Sequence, residues 1–498
     1  MRRLWFLLFV WLMLLCLAAP AQATTYVVGW GRNFQGQIGA GYKSNWQPFT
    51  PASTLKGHAV KQIAVGGEFS ALLTPKGEMW VWGGDGYGEL GNSKRMEGSL
   101  KPIRVPLKEP ASQIALGGAQ ALALLDNGEV EHWGAQGCTP EGCPLVINPP
   151  EIVPGLEGIV EVVAKGGTLG ARTASGHVYL WGENHTGEVC DGHAGKVSNQ
   201  DVPAPELVPD LEGVKQVAIG AIDSIGGTTL FLMDDGTVMS CGGNAQGELG
   251  DGSTENAFAP VSVAGLEHVA EVSAGYHVMM ARVDETAYVW GGDDVGQLGL
   301  GTAPEGCGEG TCSRYPLPLT SLHSVSQVSA GWLFADAVSN GRVFDWGWDY
   351  LGRLGVGEEE LGQTERVPRK GAGAAFLTTP EPVEGTSEVQ RVEAGYYGSL
   401  AIEKGKYPKP RIELKAGKES LTLSWRSEDT TEPWQVNYRV GVKPKRGEQL
   451  PKWTLAANLE PSARTYTITG LTPGVRYGVQ LKSKALRSTL TVFGDPLS

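Results

Sequence analysis

Short runs that alternate apolar with small or polar residues, separated by tight polar turns, recur along most of the chain. In the clearest copy, Ile63-Ala-Val-Gly-Gly-Glu-Phe-Ser-Ala-Leu-Leu73 is followed by Pro75-Lys-Gly77 and then by Glu78-Met-Trp-Val-Trp82. A β-rich run with small residues, a polar glycine turn and a second run into the Trp predict an antiparallel hairpin. Asp126-Asn-Gly128, Ala174-Ser-Gly176, Asp235-Gly236 and Asn340-Gly341 supply the same turn further along, where Gly provides the positive φ that a tight hairpin needs. No helical periodicity competes with this pattern.

Each hairpin leads into Trp-Gly and a glycine-rich turn. The copies begin at Trp30-Gly31, Trp82-Gly83, Trp133-Gly134, Trp181-Gly182, Cys241-Gly242, Trp290-Gly291 and Trp346-Gly347. Seven units spaced by roughly fifty residues, each too small to bury both faces of its sheet, predict blades stacked around an axis. The fold class is therefore all-β: a seven-bladed β-propeller, followed by a β-sandwich. The first Trp-Gly strand (Tyr26-Val-Val-Gly-Trp-Gly31) has no small-residue run before it, and the last run (Val392–Ile402) has no Trp-Gly strand after it. The N-terminal strand is expected to complete the last blade and close the ring, which leaves no exposed edge.

The repeat resembles that of the regulator of chromosome condensation family. Ala394-Gly395 with Ser399 matches one of its elements, and Trp30, Gly31, Asn33, Gly36, Gln37 and Gly39 match the other. The resemblance covers residues 24–404 and implies the seven-bladed propeller. Propellers of this family serve as exchange factors, ubiquitin-ligase accessories and scaffolds, so it implies no single function.

Arg2 and Arg3, an apolar run over 4–17 and Ala21-Gln22-Ala23 follow the order of a secretory signal peptide. Cleavage after Ala23 is expected, with a secreted or extracellular product, periplasmic or cell-surface if the producer retains it, and no integral membrane segment once the signal is removed. Cleavage takes two of the 41 basic residues and none of the 54 acidic ones, and no basic run occurs within the propeller. Such a balance argues against nucleic acid as a partner.

Six cysteines follow the signal segment. Cys138 with Cys143 and Cys307 with Cys312 are local pairs in insertions after a Trp-Gly turn. Zinc would need two such pairs together, and these belong to distant blades, so disulfides are expected. Cys241 replaces a repeat Trp and Cys190 replaces the closing Gly of the preceding copy, so a bridge between adjacent blades is expected there.

Residues 405–410 form a Lys- and Pro-containing linker, and 411–498 alternate like the strands of a sandwich. Trp425 as a core aromatic and Leu471-Thr-Pro-Gly-Val-Arg-Tyr477 as a tyrosine corner make this segment similar to a fibronectin type III domain.

Catalytic patterns are not found. Gly86-Tyr-Gly-Glu-Leu-Gly91 has the spacing of a dinucleotide loop but is one copy of the repeat turn. His185, Cys190 and His193 lack a fourth ligand. Asp293-Asp294 and 358–360 read as solvated loop charge. No cofactor or metal is expected.

The remaining signal is aromatic. The residues that open each first loop are Gly67-Glu68-Phe69, Gly118-Ala119-Gln120, Gly167-Thr168-Leu169, Ala221-Ile222-Asp223, Tyr276-His277-Val278, Trp332-Leu333-Phe334 and Tyr396-Tyr397-Gly398. With Tyr87, Trp348 and Tyr350 from the second set of turns, they predict one aromatic arc and one small-residue arc. Phe69, Tyr87, Tyr276, His277, Trp332, Phe334, Trp348, Tyr350, Tyr396 and Tyr397 are the expected partner-binding residues, since Trp and Tyr dominate protein interfaces. The expected function is that of a secreted, non-enzymatic protein-binding scaffold for an extracellular protein or cell-surface ligand. A polysaccharide-active enzyme with loop carboxylates is the alternative. The family resemblance adds a third reading, since one secreted propeller of this type inhibits β-lactamases.

Overall fold

The structure is a computed structural model. It describes residues 25–494 except 42, 94–97, 137–144, 193–200, 223–224, 303, 305–306, 308–309, 350–352, 357–375, 406–410, 418, 427–433, 441–453, 461–462, 464, 473–476 and 483–489. Cys138, Cys143, Tyr350, His193 and residues 358–360 thus lie outside the described residues.

Two N-terminal strands, β1 (Thr25–Asn33) and β2 (Ser44–Pro51), precede the first complete blade, made of β3 (Gln62–Val65), β4 (Phe69–Leu73), β5 (Met79–Gly83) and β6 (Ser99–Arg104). Blades 2 to 6 repeat this meander over 111–152, 159–207, 214–262, 269–318 and 325–382. The expected hairpin glycines Gly77, Gly128, Gly176, Gly236 and Gly341 all have positive φ. Outermost strands carry prolines, among them Pro102, Pro203, Pro260, Pro316 and Pro380. Each also meets its neighbour through a register shift. Missing N–H donors and an irregular ladder protect an exposed edge from further pairing.

Blade 7 closes the ring with a refinement of the expectation. Its order is β2, β1, Gly398–Lys404, Val389–Ala394, so two N-terminal strands complete it, where one was expected. Trp30 is the register partner of Ser399.

Neighbouring blades are joined in two layers. On the inner strands, Gln62 donates to Ile114 O (2.7 Å) and accepts from Ile114 N (3.0 Å). Gln216 clips Val272 in the same way, and Gln327 clips Val392. A glutamine thus substitutes for a β-ladder where the inner strands diverge around a polar cavity of about 200 Å³. Farther out, Trp82, Trp133, Trp290, Trp346 and Trp30 lie against the closing Gly of the preceding turn. A Cβ on Gly91 would stand 2.9 Å from Trp133 Nε1, and one on Gly250 would stand 2.9 Å from Trp290 Nε1. The indoles donate to backbone carbonyls of the same turns, as Trp133 does to Glu89 O (2.9 Å) and Trp290 to Glu248 O (2.8 Å). Between blades 3 and 4 this Gly–Trp contact is replaced by the Cys190–Cys241 disulfide, with Cα atoms 5.8 Å apart. Cys190 keeps the positive φ of the glycine it replaces. Cys307 and Cys312 are also bridged.

The C-terminal region forms two sheets. One joins Arg411–Gly417, Ser420–Arg426 and Thr465–Thr469; the other joins Thr454–Leu459, Trp434–Val440, Tyr477–Lys482 and Leu490–Gly494. Leu421, Leu423, Val436, Ile468, Val479 and Leu481 fill the space between them. The buried Tyr477 hydroxyl accepts from Thr472 N (3.1 Å), the tyrosine-corner bond expected from the sequence. The Trp425 side chain lies outside the described residues.

Candidate functional site

In a four-stranded antiparallel blade, the loop after the inner strand and the turn after the third strand emerge on the same face. The turns are held by a repeated bond from the residue after the turn to an Asn or Asp. Ile38 N donates to Asn33 Oδ1 (3.0 Å), Leu249 N to Asn244 Oδ1 (2.9 Å) and Leu354 N to Asp349 Oδ1 (3.0 Å). Leu298 N donates to Asp293 Oδ1 (2.9 Å). Asp293 is therefore a buried cap and not solvated loop charge as expected. Burial pushes its carboxyl up to about 7. Glu89 is likewise raised to about 7 by burial, and it accepts from Tyr87 N (2.7 Å). Both acids serve their own turns.

Around the mouth of the central cavity, the residue that follows the inner-strand glycine position is Gly67, Gly118, Gly166 and Ala221 in blades 1 to 4, then Tyr276, Trp332 and Tyr396 in blades 5 to 7. In blade 3 it is one residue before the expected Gly167, because Thr168 pairs with Gly182 as Phe69 pairs with Gly83. The residue after Trp-Gly, or after Cys241-Gly242 in blade 4, is Gly84, Ala135, Glu183, Gly243 and Gly292 in blades 1 to 5, and turns to Trp348 and Arg32 only in blades 6 and 7. The arc is real and continuous from blade to blade. Trp332 contacts Trp348 edge-on (centroids 5.7 Å), Tyr397 edge-on (5.6 Å) and Tyr396 (6.5 Å). Tyr276 pairs with Trp332 in a parallel bridge, and its ring lies 3.8 Å from that of His277. His277 Nδ1 is hydrogen-bonded to the buried Glu248 carboxylate.

Two arginines, not singled out from the sequence, belong to this arc. Arg353 takes the position held by Gln37, Glu89, Glu188, Glu248 and Gln297 in other turns. It is wholly buried, lies 4.9 Å from the Trp332 ring and 4.7 Å from the Trp348 ring, and donates from Nη1 to Trp332 O (2.6 Å). A guanidinium between two indoles fixes both rings by cation–π attraction. Arg32 lies 3.9 Å from the Phe34 centroid and 4.6 Å from that of Tyr397. The departure of Arg353 from the repeat's Gln or Glu was the signal that could have revealed the first of these.

The cavity mouth is spanned from both sides. Tyr396 Oη donates to Ala221 O across the ring (3.3 Å). Lys165 stands where the other repeats have Gly66, Gly117, Gly220, Gly275, Gly331 or Gly395. It reaches back to Ala394 O (2.9 Å) and Ala330 O (3.4 Å). Burial lowers its ammonium to about 8.

Several expected positions need correction. Phe69 and Phe334 are buried. They occupy the first residue of the second strand, whose side chain turns between blades, so neither can meet a partner. Tyr396 is also mostly buried, at 7% exposure, and supports the arc from beneath. Gln120 and Thr168 of the opposite arc are buried as well. Blade 4 does not present a small-residue loop, because its first hairpin is extended through Ile222 and Gly226 and exposes Ile225 at its tip. Beside it, a pocket of about 180 Å³ is bounded by Thr186, Gly227, Tyr276 and His277. Tyr87 is exposed in the blade 1 turn. Among the described residues no cluster of three His, Cys, Asp or Glu could hold a metal ion.

Profiles of the regulator of chromosome condensation (RCC1) repeat match residues 60–89, 76–124, 235–282, 284–338 and 340–402, and the fibronectin type III domain profile matches 408–489. The ultraviolet-B receptor UVR8 of Arabidopsis thaliana is 30% identical over 350 residues, which span 67% of this chain and 75% of the receptor. The chain belongs to the RCC1 repeat family. The human E3 ubiquitin-protein ligase HERC2 is 29% identical over 371 residues, which span 70% of this chain but 7% of that ligase. The crystal structure of Prp20p from Saccharomyces cerevisiae, described with its binding to Gsp1p and histones, superposes with a TM-score of 0.66 at 20% identity, covering 78% of this chain and 93% of Prp20p. That likeness shows the fold. Among RCC1-type propellers, binding and regulation of other proteins is the common role, and the ligase activity of HERC2 belongs to a protein of which this chain spans a small part.

Proposed function

We propose that this RCC1 repeat protein is an exported, non-enzymatic scaffold that binds a protein partner through the aromatic sector of its propeller. The observation that carries the reading is the step around the cavity mouth from Gly, Gly, Gly and Ala to Tyr, Trp and Tyr. Packing alone does not require it, since four blades close with small residues at the same position. Half-buried Trp332, Trp348 and Tyr397, locked by Arg353 and by one another, offer large contact area at little cost in ordering entropy. Export is supported by the basic, apolar and small-residue order over 1–23 and by two bridged cysteine pairs, which suit an oxidising compartment.

Trp332→Ala and Tyr397→Ala should each weaken capture of the partner by ~2 kcal/mol or more, whereas Tyr315→Ala, an exposed ring on an outer strand, should cost well under 1. The measurement is affinity capture from the producer's medium or surface, followed by titration of the retained protein, with melting curves to confirm folding. Equal capture by all three variants would place the partner elsewhere. N-terminal sequencing of the exported protein should begin at Thr24.

A further inference from the structure

We propose that Arg32 is a seat for a carboxylate, so that the partner meets the aromatic sector with an acidic protein segment. The inference rests on the protein-binding reading of this face. Arg32 stands at the rim of the arc, with its backbone N–H held by Tyr397 O (2.8 Å). Its guanidinium lies against both Phe34 and Tyr397. Its Nε is buried and has no hydrogen-bond partner. Among the described residues the guanidinium forms no ion pair, whereas Arg172, Arg282 and Arg391 are paired with Glu161, Glu271 and Glu393.

The contrast with Arg353 separates two roles for the same chemistry. Arg353 is wholly buried and spends a donor on Trp332 O, so it braces the rings. Arg32 is only half-buried, and among the described residues no acceptor meets its buried Nε. Removing a guanidinium from water without giving it an acceptor costs free energy that a bound carboxylate returns. A guanidinium held against aromatic rings by cation–π attraction can still make the bidentate pairing that Arg makes with a carboxylate and Lys does not. Tyr397 and Trp332 beside it would cover apolar side chains flanking the acidic one, which favours a protein segment as the source.

The test uses the full mature chain and three fluorescent peptides of one sequence: one rich in Glu, one with each Glu changed to Gln, and one with phosphoserine at the same positions. Fluorescence anisotropy should show binding of the Glu peptide, weakened by added salt, with the Gln peptide weaker by roughly tenfold or more. Arg32→Gln should abolish the preference for Glu over Gln, and Arg32→Lys should recover part of it while keeping the wild-type melting transition. No binding of the Glu peptide, equal binding of the Glu and Gln peptides, binding of the phosphoserine peptide alone, or an Arg32→Gln chain that still prefers Glu would each overturn the proposal. Should Trp332→Ala lose the captured partner while Arg32→Gln retains it, the aromatic face stands and the carboxylate seat falls. If neither variant loses it, both readings fall.

Discussion

At Cys190 and Cys241 a covalent bond occupies the place where other blades pack a glycine under an indole. Because the glycine and tryptophan positions touch, a side chain added to one constrains the other. Cys241→Trp alone should drive the indole into the Cys190 side chain and destabilise by roughly 1–3 kcal/mol, the range of an overpacked core. The Cys190→Gly, Cys241→Trp double variant restores the repeat pair and should be more stable than that single variant. A double-mutant cycle under reducing conditions, followed by denaturant unfolding, measures the coupling. Additive effects would show that the two positions do not act as a unit.

At the scale of elements, ring closure depends on β1 and β2 together. β1 pairs with Gly398–Lys404 along its length and places Trp30 against Gly355 of blade 6, while β2 supplies the outer edge of blade 7. Deleting residues 24–51 should leave a two-stranded blade and one unoccupied Trp site, with a loss of ~3 kcal/mol or more on the scale of truncating a buried aromatic. Thermal unfolding measured on the mature and shortened chains checks this, and an unchanged midpoint would rule out the closure. The single-strand expectation fell short because β2 carries no repeat signature. Ser44–Pro51 contains neither Trp-Gly nor a small-residue run, and only pairing with β1 makes it a blade strand.

For the whole molecule, the seam between blades 6 and 7 contains a titratable pair. Asp336 and Asp345 face each other across two strands of blade 6, both fully buried. Ser399 of blade 7 donates to Asp336 (2.5 Å) and Gly355 N donates to Asp345 (2.8 Å). Burial raises Asp336 to about 7, and burial with the neighbouring Asp336 carboxyl raises Asp345 further above its ordinary value, while Lys165 opposes the rise at Asp336 and Glu393 adds to it. The fold therefore favours the protonated forms. Their contribution is complete below ~4, the ordinary carboxylate range, and is lost as pH rises through about 7. The melting temperature of the wild-type chain should fall more steeply between pH 5 and 8 than that of Asp345→Asn, in which one carboxyl cannot ionise. Parallel pH profiles would exclude this pair as a source of pH dependence.

The sequence by itself determined the blade count, the hairpin that leads into each Trp-Gly and the Cys190–Cys241 and Cys307–Cys312 bridges, because these follow from local periodicity and from substitutions at fixed repeat positions. It also located the aromatic sector, since Tyr276, Trp332 and Tyr396 stand at equivalent positions in consecutive repeats. Tertiary structure alone decided which of those rings face outward. Phe69 and Phe334 lie two residues beyond the rim positions, but they are the first paired residues of the second strand, opposite Gly83 and Gly347. They are buried between blades while the rim positions stay in the loop, so proximity in sequence did not indicate exposure. The buried state of Asp293, the bracing of the indoles by Arg353 and the contact of Arg32 with Phe34 and Tyr397 likewise depend on groups brought together by the closed ring. Such contacts exist only after the ring has closed, and no local pattern encodes the distance between them.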